Sequence, residues 1–328
     1  MSGWKRRWPP SGTAPYTRAM KATISLPKMK RRWRRLLLLA LPVALMACAP
    51  AFLDFESDFI ANKQISRHSV TAQIDGKPVE ISYLRAGDPA RRRVILVHGT
   101  PGNGANFRAL MERVPKGLEF VAPDRPGFGH TRPKKAMTAL AGQAAALAPL
   151  LVVRDGRAPI LLGHSLGGSV VTQTALDYPN RVDGLIQLAA ALDPALEERW
   201  LIQYLGRIPP FRWLLPAAAN HANRELLALE GELRRLTPRL AQIHQPVHIV
   251  HGTADELVPY DNVPFMQARF TKARSLTLTR LESANHFLPW NRTDAVLDAI
   301  MTMVDTLEDT PHPDTRQACR MDRAVQTC

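Results

Sequence analysis

Cysteine is nearly missing from this 328-residue chain, which has three: Cys48, Cys319 and Cys328. The first lies in an N-terminal apolar stretch and the other two in a polar tail, so no disulfide framework holds the body between them. The tail pair either bridges in an oxidising compartment or stays free. Acidic residues are absent from residues 1–53, which hold eleven Lys and Arg. The formal charge of +14 is therefore local: the other 32 basic residues face 29 acidic ones, leaving +3. This distribution argues against nucleic-acid binding, because the excess sits in the leader and the body is close to neutral. Internal repeats are also lacking, which excludes a solenoid. At this length one α/β domain of about 250 residues with appendages is an ordinary solution.

The basic cluster KMKRRWRR runs into LLLLALPVALMACAP, a positive n-region followed by an apolar run from Leu36. Counted to Met46 the run has signal-peptide length; carried to Leu53 it reaches the lower limit of a membrane span, about 17 residues. Three outcomes stay open. LMAC resembles a bacterial lipobox that would lipidate Cys48, although Met46 is larger than the usual residue there. ACA suits ordinary cleavage and release, and an uncleaved leader is an anchor. In each case the basic flank stays cytoplasmic and the body lies across the membrane, membrane-associated or exported. Met1 and Met29 are both candidate starts.

The expected organisation is a leader at 1–53, a linker at 54–68, core at 69–192, a helical insertion at 193–245, core at 246–307 and a tail at 308–328. Two alternating runs joined at Asp75-Gly76 read as a hairpin. RRRVILVHG, LEFVAP, APILLG, GLIQLAA, PVHIVHG and SLTLTRL follow as apolar runs of the kind buried on both faces. Helical patterns fall at 107–114, 138–153, 165–178, 263–271 and 293–307. The alternation predicts an α/β fold with a doubly wound, mainly parallel eight-stranded sheet. Residues 193–245 show no strand signal and read either as a helical cap over the strand ends or as an ordinary helical layer. Their Trp200, Tyr204, Phe211, Trp213, Leu214 and Leu215 suit an apolar substrate group, or simply the core of the cap.

One pentapeptide carries chemistry. Ser165 lies in Gly163-His164-Ser165-Leu166-Gly167, a G-x-S-x-G match between a strand and a helix. A nucleophile raised above a sheet needs a tight, strained turn, and the glycines let backbone approach closely. The N–H of Leu166 opens the helix and faces a developing oxyanion. A serine hydroxyl needs a base, and among ten histidines His286 is the best placed, in the loop after the last strand. Asp255 follows a strand and precedes His286 by 31 residues, as the acid that fixes its tautomer. Glu256 and Asp193 are alternative acids. The loop after His98-Gly99 brings the N–H of Thr100 as a second oxyanion donor. In DRPGFGHT, Asp124 and Arg125 read as braces of a structural loop. A zinc site from His244, His248 and His251 fits poorly, since His248 and His251 face opposite sides of a strand.

HGTPG, DRPGFGHT, GHSLGG, HGTADELVP and NHF, in this order, resemble the α/β-hydrolase superfamily, specifically its cap-bearing serine esterase and cofactor-free hydrolase branch. The resemblance runs from about Ser69 to Leu307. Epoxide hydrolases and haloalkane dehalogenases carry aspartate where this chain has Ser165. Asn285 stands where many relatives have glycine before the histidine. The resemblance implies a hydrolase for carboxylic esters or thioesters with Ser165, Asp255 and His286 catalytic, Thr100 and Leu166 at the oxyanion, and no cofactor or metal. It leaves open perhydrolysis, carbon-carbon bond hydrolysis, acyl transfer and an inactive binding lipoprotein. The expected partners are a small ester with an apolar group and, through the leader, a membrane, with no nucleic acid.

Overall fold

The computed structural model describes residues 64–197, 208, 209, 213 and 215–309. The expected leader with Cys48, most of the linker, the cap residues Trp200, Tyr204, Phe211 and Leu214, and the tail from 310 with Cys319 and Cys328 lie outside the described residues.

The strands are β1 (Ile65–Ile74), β2 (Lys77–Gly87), β3 (Arg92–Val97), β4 (Leu118–Pro123), β5 (Ile160–His164), β6 (Gly184–Leu188), β7 (Val247–Gly252) and β8 (Leu276–Leu281). They form one eight-stranded sheet in the order β1-β2-β4-β3-β5-β6-β7-β8. Only the pairings of β1 with β2 and of β2 with β4 are antiparallel. Asp75 and Gly76 both take positive φ, 50° and 72°, as a two-residue hairpin turn requires.

Each strand from β3 to β7 is buried along its whole length. Their apolar residues divide by the two-residue period of a strand. Ile95, Val97, Leu161, Leu185 and Ile249 join one cluster, while Val94, Leu96, Leu162, Ile186 and Val250 join the other. Helices α1 (Leu140–Leu147), α2 (Leu166–Asp177), α3 (Ala217–Leu236) and α4 (Asn262–Arg269) supply the first cluster, and α5 (Thr293–Glu308) covers the second.

Four expectations need correction. The hairpin starts at Ile65, inside the expected linker; its polar residues are compatible with an edge strand that exposes part of each turn of the pleat, and Ile65 pairs with Ala86. β8 is not buried on both faces: it is the opposite edge, and Thr277, Leu278 and Arg280 are exposed. The helix expected at 138–153 leaves the α conformation at a 3-10 turn, Ala148–Leu150, because Pro149 has no N–H to donate. The pattern at 107–114 yields only a 3-10 turn, Gly104–Phe107, and one helical turn, Arg108–Met111.

At the amino ends of the central strands, Glu119 takes a bidentate pair from Arg93, at 2.6 and 3.1 Å, and a third contact from Arg154 at 2.6 Å. Glu119 is fully buried. Removing one member of such a pair leaves the other charge desolvated and unpaired. Glu119→Ala is expected to lower the unfolding free energy by about 3–5 kcal/mol, read from a shifted urea midpoint at constant slope. A loss below about 1 kcal/mol would show that the pair adds nothing.

Buried histidines make the fold sensitive to acid. Burial, then repulsion from His286, pushes His164 down to about 3. Burial, then the charge of Arg125, holds His98 well below its ordinary value. In the unfolded chain both bind protons near pH 6.5, so below that pH the unfolded state binds more protons and stability falls. His164→Gln is expected to reduce that slope by about 1.4 kcal/mol per pH unit between about pH 6 and 4, measured by urea unfolding at a series of pH values. An unchanged slope would mean that His164 protonates in the native state.

Candidate active site

The sequence Gly163-His164-Ser165-Leu166-Gly167 turns sharply from β5 into α2. Ser165 takes φ 58° and ψ −128°, a conformation costly for a residue with a Cβ. Glycine is required around it: a Cβ on Gly163 would sit 2.3 Å from the carbonyl oxygen of Gly167, and one on Gly167 would sit 2.2 Å from that of Val97. From residue 158 to residue 175, Ser165 alone is not buried. Its side chain makes no cap to the helix it precedes. Leu166 begins α2, and the first N–H groups of a helix have no intrahelical acceptor.

His286 and Asp255 come together from the loops after β8 and β7. His286 Nδ1 lies 2.8 Å from Asp255 Oδ2, and both residues are buried. A carboxylate accepts, so Nδ1 carries the proton and Nε2 of the neutral ring keeps a lone pair. Asp255 Oδ1 accepts the N–H groups of Leu257 and Val258, at 3.0 and 2.8 Å. Burial pushes the Asp255 carboxyl up. The hydrogen bond and charge of His286, with the Val258 N–H, outweigh that and hold it below the ordinary carboxylate value. Of the two alternative acids, Asp193 instead accepts the N–H of Ala195 at the start of a 3-10 turn, and Glu256 is exposed.

His164 does more than stand beside the serine. Its Nε2–H donates to the carbonyl of His286 at 3.0 Å, and the two rings lie 4.7 Å apart between centroids. The elbow therefore grips the His286 loop directly. Asn285 accepts the N–H of Phe287 and the side-chain amide of Asn291, which stiffens the loop from the other side.

The loop after β3 packs on the elbow. A Cβ on Gly99 would stand 2.8 Å from Ser165 Cβ and 3.3 Å from its Oγ, so the peptide leading to Thr100 passes against the serine. His98 donates from Nδ1 to the carbonyl of Gly99 at 2.7 Å and accepts the Arg125 N–H at Nε2, 3.0 Å away. Those partners fix one neutral tautomer. Arg125 Nε and Nη2 donate to the carbonyls of His98 and Gly99 at 2.9 and 2.8 Å. From the helical insertion, Glu225 on α3 meets Arg125 with both carboxylate oxygens, at 2.7 and 3.1 Å. His221, one turn earlier, donates to the carbonyl of Gly127 at 2.8 Å. Asp124 braces the same loop by accepting the N–H groups of Gly104 and His130.

The site thus gathers Ser165, His286, Asp255, Thr100 and Leu166 at the carboxyl ends of the central strands. His98, His164 and Glu225 were not marked as site residues by sequence alone. For Glu225 no local signal exists, since its partner is 100 residues away.

Comparison with known proteins places this arrangement. The chain is 28% identical over 218 residues to the dihydrolipoyllysine-residue acetyltransferase component of the acetoin cleaving system of Cupriavidus necator, a match covering 57% of this chain and 58% of that protein. It therefore spans less than two thirds of that relative's length. It is 25% identical over 232 residues to the pimeloyl-[acyl-carrier protein] methyl ester esterase of Aeromonas hydrophila, covering 59% of this chain and 87% of the relative. Among solved structures, a membrane phospholipase A described as a bacterial virulence factor superposes with a TM-score of 0.60 at 23% identity, over 86% of this chain and all of that one. At that identity the likeness concerns the fold. The sequence profile of the alpha/beta hydrolase family matches residues 94–299, from within β3 into α5. With its sheet order, elbow and profile match in agreement, the chain belongs to the alpha/beta hydrolase family.

Proposed function

We propose that the protein is a serine hydrolase that cleaves carboxylic esters through an acyl-enzyme on Ser165. The observation that carries this reading is the strained Ser165 of an elbow that grips the His286 loop through His164, together with the Asp255 carboxylate that fixes the His286 tautomer. Backbone strain at a residue with a side chain persists where the surrounding structure enforces it, and such positions cluster at functional sites.

In this reading Ser165 Oγ attacks the acyl carbon while His286 Nε2 takes its proton. Asp255 stays ionised and stabilises the imidazolium. The N–H groups of Thr100 and Leu166 hold the oxyanion. Collapse expels the alcohol, which takes the proton from His286. Water, deprotonated by the same nitrogen, then attacks the acyl carbon; the bond to Ser165 Oγ breaks, the acid leaves and His286 returns the proton to Ser165. The apolar half of the substrate is inferred from Leu257, Phe287 and Trp290, exposed at 65%, 49% and 41% in the segments that carry Asp255 and His286. The methyl ester esterase from Aeromonas hydrophila, and the lipase LipV of Mycobacterium tuberculosis, 31% identical over 117 residues, are relatives whose names agree with ester chemistry.

The basic leader extends the proposal to a body held outside the cytoplasm, released or anchored. Among the described residues no helix is long and apolar enough to cross a membrane. Mass spectrometry of the mature N-terminus, with cell fractionation, separates the cases. A diacylglyceryl Cys48 is expected of a lipoprotein, an unmodified end near residue 48 of a released protein, and an intact leader in the membrane fraction of an anchor. A body in the cytosol would overturn the placement.

Ser165→Ala is expected to lower ester turnover by roughly a millionfold, on the scale seen when a serine nucleophile is removed from a hydrolase. A fluorophosphonate probe should label Ser165 in the wild type and fail in His286→Ala. Unchanged turnover in Ser165→Ala, or no labelling of folded wild type, would sink the assignment.

A further inference from the structure

The carbonyl of Gly99 and the N–H of Thr100 belong to one peptide plane. In a trans peptide they point in opposite directions, and Gly99–Thr100 is not among the cis bonds of the described residues. Whatever holds that carbonyl therefore aims that N–H. Gly99 gives the peptide no side-chain restraint, and Thr100 Oγ1 is buried without a hydrogen-bond partner among the described residues. Two donors hold the carbonyl: His98 Nδ1 at 2.7 Å and Arg125 Nη2 at 2.8 Å. Arg125 also orients His98 itself, by giving its own N–H to the ring and its Nε–H to the His98 carbonyl.

The guanidinium is fixed in turn. Its other N–H groups go to Gln143 Oε1 and to both oxygens of Glu225, and the Gln143 amide closes the ring of contacts by donating to Glu225 at 3.0 Å. Arg125 and Glu225 are 1% and 2% exposed. Glu225 belongs to α3 in the helical insertion, whereas every other member of the network belongs to the hydrolase core.

We propose that Arg125 is the positioning residue for the Thr100 oxyanion donor, and that Glu225 makes this position depend on α3 being seated. The inference rests on the acyl-enzyme reading of Ser165. It implies that α3 does more than pack on the core: displacing it loosens the guanidinium, frees the Gly99 carbonyl and lets the Thr100 N–H turn from the oxyanion.

The test compares Arg125→Lys and Glu225→Gln with wild type in the full chain, with rates expressed per Ser165 titrated by fluorophosphonate. Lysine, with three N–H groups on a single nitrogen, cannot reproduce the planar fork that reaches both carbonyls, Gln143 and both oxygens of Glu225, whereas glutamine keeps the shape and one acceptor of Glu225. Removing an oxyanion donor outright costs about a hundred- to a thousandfold, so Arg125→Lys is expected to lower kcat by about a hundredfold and Glu225→Gln by about tenfold. KM should stay within about threefold, because the ground-state carbonyl makes little use of the donor. Affinity for a trifluoromethyl ketone, whose adduct carries the oxyanion, should fall by the same factors as kcat. Affinity for the matching unreactive alcohol should not.

Equal losses of ketone and alcohol affinity, or a rate per titrated site within twofold of wild type in either variant, would overturn the proposal and leave the network a brace of the fold. Should Arg125→Lys fail to fold, Glu225→Gln decides alone by the same two affinities. Absence of labelling in wild type overturns the acyl-enzyme reading itself, and this inference with it. Labelling in wild type with unaltered variants overturns the inference only.

Discussion

A guanidinium with almost no water around it holds the upper side of this molecule together. Arg125 cannot shed its charge, so burial at 1% exposure is tolerable only if the donors are all used and the charge is matched. Its five N–H groups find the carbonyls of His98 and Gly99, Gln143, and the two oxygens of Glu225. The Phe128 ring covers one face, 5.1 Å from the guanidinium carbon. One side chain thereby fastens the end of β3, the loop after β4, helix α1 and helix α3.

The strained elbow is supported in a different way, by close backbone packing. Gly163, Gly167 and Gly99 bring three chain segments nearer than any Cβ would allow, and the N–H of Ser165 is tied to the carbonyl of Leu188 on β6. Strain at Ser165 is held because the surrounding strands are fully buried and cannot yield. Polar contacts set orientation on one side of the site, and steric contact sets distance on the other.

Much of this was legible in the chain itself, for physical reasons. The central strands read correctly because burial on both faces leaves an unbroken apolar run, as in VILV and ILLG. The candidate residues Ser165, Asp255 and His286 stood out because each follows a strand in a loop rich in turn residues. The edges were harder. β1 begins among Ser66, Arg67 and His68, and β8 alternates leucine with threonine and arginine, because an edge strand has a solvent face that polar residues satisfy. Arg125 looked like a local brace, which it is, but its link to Glu225 was invisible. Glu225 lies in a helix dense with charge, where nothing local separates a buried carboxylate from an exposed one.

The manner of attachment of α3 follows from what apolar contact can and cannot specify. Leu229, Leu233 and Leu236 bury the carboxyl half of the helix against the core, and that contact supplies affinity for the surface. Leucines repeat every three or four residues, so a shift of the helix by one turn would replace one leucine with another at little loss. His221, Glu225 and Glu232 lie on the same face as these leucines, but each has a partner of its own. They meet the carbonyl of Gly127, the guanidinium of Arg125 and the N–H of Leu140, and a displacement of one turn, about 5.4 Å, breaks all three at once. A buried ion pair adds little net stability over a well-packed apolar replacement, but it penalises the wrong register heavily, because a misplaced helix strands a charge without water. The polar residues on the buried face of α3 therefore fix where this helix stands, and the leucines of the same face keep it there.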